Sequence, residues 1–288
     1  LVGTALRTML TELGDDVHAL VRRSPTGSNE VQWDPANGSV DVAQLEGFDV
    51  VYHLAGESIA EGRWTAAKKA RIRDSRVQGT TLLSEALAKL EQKPSTLVSA
   101  SAIGYYGNRG DEELSESSAI GEGYLPDVSA EWEGAARAAG ETGIRVVNPR
   151  IGIVLSKRGG ALAKMLLPFK MGVGGIIGPG TQYMSWITLE DLVRVLHHCA
   201  TNGSLSGPVN AVAPGATTNE KFTKAIGRAL SRPTVLPMPA LAARIAFGEM
   251  GDALLLGSTR VTPRKLFKSG FAFHHSNIDQ ALQAVLAE

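Results

Sequence analysis

The stretch Phe48-Asp49-Val50-Val51-Tyr52-His53-Leu54-Ala55-Gly56 decides how the rest of the chain is read. Its apolar residues run together rather than alternating with polar ones, the pattern of a strand buried on both faces of a parallel sheet. Ala55-Gly56 ends the run in a turn. Upstream, Thr4 to Leu13 sets Leu6, Met9, Leu10 and Leu13 at helical spacing before Gly14, and Val17 to Val21 reads as a strand. Downstream come a long polar helical stretch from Trp64 to Leu90, a strand from Ser95 to Ala100, an Ala-rich helix from Val128 to Gly140 and a short apolar strand from Ile144 to Val147. Strands alternating with helices predict an α/β fold with a doubly wound parallel sheet.

After Arg150 the texture changes. Gly159-Gly160 and the segment Gly172 to Gly180 interrupt helices that no longer alternate with strands, which predicts a smaller α+β substrate lobe. Glu190 to Ala200 reads as a helix and Val209 to Val212 as a returning strand, so the expected division is 1–155 with 190–213 for the nucleotide-binding domain and 156–189 with 214–288 for the substrate lobe.

Composition narrows the function. Among 288 residues, 29 basic and 29 acidic side chains cancel, which lacks the basic footprint of a nucleic-acid or polybasic membrane binder. Cys199 is the single cysteine, so no disulfide framework or cysteine metal cluster is expected. No run reaches the ~18 apolar residues that would span a bilayer. These features predict a cytoplasmic protein acting on a small molecule, with neither nucleic acid nor membrane as partner. His197-His198 and His274-His275 are adjacent pairs rather than i, i+4 ligand pairs, and no metal site is expected.

A dinucleotide site needs a strand, a tight glycine turn and a helix whose free N–H groups face the pyrophosphate. Gly3, followed at once by an amphipathic helix, reads as the last glycine of such a turn, so the N-terminal strand is expected to be missing from the chain as given. Arg22 and Arg23 end the next strand, where arginine accommodates a 2′-phosphate, and this points to NADP (NADPH); a solvated surface pair is the competing account.

Three segments carry a resemblance to the extended short-chain dehydrogenases/reductases. Asp49 to Gly56 resembles their DxVxHLAg stretch, Ser99-Ala100-Ser101-Ala102-Ile103-Gly104-Tyr105-Tyr106-Gly107 their SSxxVYG segment, and Trp186 to Leu192 their FxxVxDv segment. Arg63-Trp64-Thr65, Glu131-Trp132-Glu133, Pro149 to Leu155, Arg158 to Leu162, Arg260 to Leu266 and Gly270 to Phe273 are similar to one atypical branch, the epimerase-family or nucleoside-diphosphate-sugar-epimerase-like proteins. The resemblance implies a Rossmann sheet and an oxidoreductase or sugar-nucleotide-epimerase-like activity on an unidentified substrate. Cofactor contacts are expected from Gly3, Arg22, Arg23, Leu54, Ala55, Gly56, Arg76, Ser99, Ala100, Arg150 and Ile153.

The usual Tyr-x-x-x-Lys dyad, in which an ammonium lowers a phenol pKa, should fall at positions held here by Leu125 and Ser129. The Arg that grips a nucleotide-sugar pyrophosphate aligns with Met184. Tyr105 and Arg109, with Ser101 upstream, are the substitute catalytic candidates, although a strand-end loop does not guarantee that a four-residue spacing brings them together. The alternative is a nucleotide-sensing or scaffold protein, akin to a cell-division regulator, that keeps the fold and cofactor but has lost turnover.

Overall fold

The strand within the opening stretch forms from Val50 to His53 in the computed structural model, which describes residues 1–287. In chain order the elements up to it are α1 (Val2–Glu12), β1 (Ala19–Val21), β2 (Glu30–Asp34), β3 (Ser39–Val40) and β4 (Val50–His53). There follow α2 (Ala66–Ala88), β5 (Thr96–Ser99), β6 (Ser101–Ala102), β7 (Glu113–Leu114), α3 (Tyr124–Ala135), α4 (Arg137–Glu141), β8 (Arg145–Ile151) and β9 (Ile153–Leu155). Next are α5 (Gly160–Lys170), β10 (Tyr183–Met184), β11 (Trp186–Thr188), α6 (Leu189–Thr201), β12 (Gly207–Ala211), β13 (Thr217–Thr218), α7 (Asn219–Leu230), α8 (Ala240–Phe247) and β14 (Arg260–Val261). Short helical segments and a last helix, Ile278–Ala287, complete the described chain.

The central sheet runs β12-β8-β5-β4, all parallel, with β6 also on β8. Leu97 and Val98 show why these strands are apolar throughout: they point to opposite faces, and both are buried. Val98 packs with Leu6, Leu10, Leu192, Val195 and Leu196 of α1 and α6, while Leu97 packs with Leu83, Leu87 and Ala139 of α2 and α4. Helices therefore cover both sides, as the doubly wound reading requires. Thr65 and Thr188 start α2 and α6 by accepting hydrogen bonds from the N–H groups of Lys68 and Asp191.

A hairpin the sequence reading passed over adds β2 and β3, antiparallel across Asn37-Gly38, with β1 parallel to β2. This small sheet is a separate ladder from the five-stranded one, yet Leu20 and Val31 share a core with Val51 and Leu83.

The second lobe has its own core of Leu155, Leu162, Phe169, Trp186, Phe222, Ile226 and Leu282. Its last strand, β14, pairs with β7, and the strap around it holds the strand-end loop of the first lobe: Thr259 donates to the Gly107 carbonyl, and the Arg109 N–H donates to the Ser258 carbonyl. Among the described residues no helix is long and apolar enough to cross a membrane.

Candidate active site at the strand ends

The parallel strands β4, β5, β6 and β8 end on one side of the molecule, where an open α/β sheet binds its ligands. At the end of β4, Arg76 lies against the Leu54-Ala55-Gly56 turn. A Cβ on Gly56 would stand 3.2 Å from the Arg76 Cζ, so the close approach needs glycine. Arg76 donates to the carbonyls of Glu57 and Ile72, each at 3.0 Å, and its guanidinium stands 4.9 Å from the Trp132 ring. The Glu57 N–H donates to Ser75 Oγ at 3.0 Å. Arg76, expected to touch cofactor, is thus also the brace that shapes the turn.

The two arginines read as a pair have different surroundings. Arg23 makes a two-pronged bond to Glu30, at 2.8 and 2.5 Å, and the Thr26 N–H also donates to that carboxylate. These bonds, with Arg23 first, hold the Glu30 carboxyl down at about 2. Arg22 makes no hydrogen bond or ion pair among the described residues. Its charge is felt at Glu57, whose carboxyl Lys68 chiefly, and Arg71 and Arg22 at longer range, hold below the usual range. Arg22 therefore stands at the β4 turn with its donors available, while Arg23 braces its own loop.

At the ends of β6 and β8 lies a connected polar network. Ser101 Oγ donates to Glu133 Oε1 at 2.6 Å, and Arg150 grips the same carboxylate through Nε (2.7 Å) and Nη2 (2.8 Å). Arg150 Nη1 donates to the Tyr106 hydroxyl at 2.9 Å, which donates in turn to Asn210 Oδ1 at 2.7 Å. Burial opposes the Arg150 charge, but Glu133 outweighs it and the guanidinium pKa rises above its ordinary value. The Tyr105 ring stacks on that guanidinium with 3.4 Å from Cζ to centroid. Arg150, expected as a cofactor contact, is buried and spends three of its five N–H groups on Glu133 and Tyr106.

Tyr105 and Arg109 do not meet in a bond. Arg109 turns to Glu112 through two 2.8 Å bonds and to the Ala119 carbonyl, leaving the Tyr105 hydroxyl without a partner among the described residues. Leu125 and Ser129 lie against Gly104: a Cβ there would sit 3.4 Å from Leu125 Cβ and 3.7 Å from Ser129 Oγ. The dyad positions thus face the SSxxVYG-like loop, with an aliphatic group and a buried hydroxyl in place of phenol and ammonium.

Ser99 Oγ and His53 Nε2 are buried without partners, on residues paired across β4 and β5. Burial pushes the His53 imidazole down to about 4, and its ring meets the edge of Trp33 at 5.7 Å. Ala100 is buried beside them, and Ile153 is half-buried on β9, its N–H donating to the Ser185 carbonyl at 2.9 Å. Gly3 lies in the first turn of α1 with open space around it, and that turn has neither a capping side chain nor an acidic residue. Of the adjacent histidines, His198 bonds Ser269 at 2.9 Å and His274 bonds Glu190 at 2.7 Å.

Sequence reasoning quoted Glu133 within a motif but gave it no role, and missed Asn210. A carboxylate four residues after Ser129 on the same helix face was the available signal. Nothing local marks Asn210, which reaches the network from β12.

Residues 1–212 match the NAD dependent epimerase/dehydratase family, and residues 238–285 match a domain of unknown function, DUF1731. An epimerase family protein of Mycobacterium bovis is 45% identical over 282 residues, which is 98% of this chain and 93% of the relative. The crystal structure of human epimerase family protein SDR39U1 with NADPH superposes with a TM-score of 0.91 at 32% identity, over 100% of this chain and 96% of that one. A nucleoside-diphosphate sugar epimerase from Corynebacterium glutamicum gives a TM-score of 0.81 at 36% identity, over 99% of this chain but 56% of that longer one.

Proposed function

Because the chain belongs to the NAD dependent epimerase/dehydratase family, we propose that it is an NADPH-binding, atypical short-chain dehydrogenase/reductase acting on an unidentified small molecule. The observation that carries the reading is Arg22, a guanidinium without a protein partner beside the glycine turn that ends β4. The surrounding groups fit such a cofactor. The α1 N-terminus offers N–H groups with no competing acid, Gly56 lets the Arg76 guanidinium close on the turn, and His53 and Ser99 keep unspent polar atoms near the strand ends. The NADPH held by the human relative supports the same reading.

When bound, the nicotinamide supplies or accepts a hydride. This chain's residues would handle the proton and the substrate oxygen. A serine hydroxyl has one proton and two lone pairs. Ser101 commits its proton to Glu133, so it presents lone pairs and orients a substrate hydroxyl as an acceptor. The Tyr105 hydroxyl, on the same strand-end loop, is an uncommitted donor, and the Arg150 stack fixes its ring. Arg109, bound to Glu112, has a bracing part in this scheme rather than a catalytic one. The lone cysteine, Cys199, is buried with its thiol pushed up to about 12 by that burial, which leaves it no part as a nucleophile.

A second reading, a nucleotide sensor without turnover, is favoured by Leu125 and Ser129 where phenol and ammonium would stand. Cofactor oxidation and reduction, followed on a panel of carbonyls, alcohols and nucleotide sugars, separates the two. The enzymatic reading predicts turnover that falls at least ~100-fold in Tyr105→Phe, the scale of a lost general acid or base, with NADPH affinity retained. Binding without turnover on any panel member supports the sensor, and undiminished turnover in Tyr105→Phe removes the Tyr105 assignment.

A further inference from the structure

The chain's balanced charge conceals a local imbalance in the second lobe. From Ser156 to Leu189 there are four basic residues and no acidic one, and from Lys221 to Gly248 there are five basic residues and none acidic. The same two segments carry most of the exposed large apolar side chains. Leu167, Met171 and Val173 stand out at the end of α5, and Val235, Leu236, Met238, Leu241 and Ile245 on and before α8. Leu241 is 67% exposed, Ile245 68% and Val235 74%, values that a monomer seldom tolerates in one place.

The two segments form one surface. Ile177 and Met238 make a β-bridge, with the Met238 N–H donating to Ile176 and the Gly178 N–H to Met238, and the Gly175 backbone lies against Leu236. Helix α8 (ALAARIAF) buries only Ala243. Lys224, Arg228 and Arg244 are neutralised by Glu220, Asp279 and Asp252. The side chains of Lys170, between Leu167 and Met171, and Arg232, just before Val235, make no hydrogen bond or ion pair among the described residues.

We infer that this face docks on an anionic lipid surface, with Leu241, Ile245, Val235 and Met171 entering the headgroup boundary and Lys170 and Arg232 meeting the lipid phosphates. Exposed aliphatic side chains interleaved with unpaired cations are the composition of an interfacial anchor. A second copy of this chain would set like charges against each other across a two-fold axis. A peptide partner calls for a groove that takes up its side chains, whereas α8 buries only Ala243 and presents Leu241 and Ile245 outward. The inference departs from the expectation of no membrane partner, which rested on total charge and on the lack of a membrane-spanning apolar run.

The test is co-sedimentation of the whole protein with phosphatidylcholine vesicles, plain or containing one-third phosphatidylglycerol. The expected result is partition at least ~10-fold stronger onto the anionic vesicles, weakened by salt. Leu241→Ser with Ile245→Ser should lower that partition at least ~10-fold. Lys170→Glu with Arg232→Glu should erase the preference for anionic lipid, at roughly fivefold per charge removed. All these side chains are exposed, so unchanged circular dichroism and NADPH titration show that each variant is folded. Failure to partition onto either vesicle, equal partition onto both, or partition that survives the Leu241 and Ile245 changes overturns the inference. So does a concentration-dependent dimer, in sedimentation velocity without lipid, that those changes abolish.

Discussion

The ends of β6 and β8 and the outer face of α5 and α8 handle side chains in opposite ways. At the strand ends, Ser101, Glu133, Arg150, Tyr106 and Asn210 are withdrawn from water and bonded to one another. On the outer face, Leu241, Ile245 and Val235 stand mostly in water. Buried polar groups are costly unless paired, and exposed apolar groups gain only from a partner outside the chain. The five residues of the first region therefore satisfy one another, with the Tyr105 hydroxyl left unpaired beside them, and the second region is incomplete by construction.

The contrast breaks most visibly at Arg150. Arg150→Ala would leave the half-buried Glu133 carboxylate with Ser101 alone, with an expected loss of about 2 to 4 kcal/mol, short of a fully buried pair, in urea unfolding; a loss below about 1 kcal/mol would mean that the network is wetter than it looks. His53 gives the next effect. Its folded pKa of about 4 lies below the ordinary 6.5, so the unfolded chain takes up a proton that the folded one refuses. Stability from this group is complete above pH 6.5 and declines as pH falls toward 4, by on the order of 3 kcal/mol. Unfolding midpoints measured across that window should show the decline, and His53→Gln should flatten it.

Gly121→Ala sharpens the comparison by disturbing the loop alone. Its Cβ would lie 2.1 Å from the Tyr106 carbonyl oxygen, forcing the backbone to shift. We expect about 1 to 3 kcal/mol of destabilisation, read as a lower thermal midpoint. On the outer face, Leu241→Ser with Ile245→Ser should change stability by no more than about 0.5 kcal/mol per site, because no packing is lost.

Legibility followed the same division. Strands β4 and β5 could be read because residues such as Leu97 and Val98 are buried on both faces, which writes an unbroken apolar run. The β2–β3 hairpin was legible in principle, from the alternation in Glu30-Val31-Gln32-Trp33-Asp34 and the Asn37-Gly38 turn. It was passed over because its polar half resembles a loop. The site residues were harder. Nothing local distinguishes Arg22 from Arg23; the difference lies in Glu30, which folds back on one of them. Arg109 is drawn to Glu112, three residues on, before it can serve Tyr105. The apolar and basic face of the second lobe vanished in a total charge of zero.

The central claim is that the strand-end cleft takes NADPH with its 2′-phosphate against Arg22. The direct measurement is the ratio of NADH to NADPH dissociation constants for the protein, for Arg22→Ala and for Arg23→Ala. Charge-assisted bonds to phosphate of about 1.5 to 3 kcal/mol predict NADPH tighter by roughly 10- to 100-fold, a preference that Arg22→Ala erases by weakening NADPH alone and that Arg23→Ala largely keeps. Equal affinities in the unaltered protein, or a preference that survives Arg22→Ala, would contradict the account.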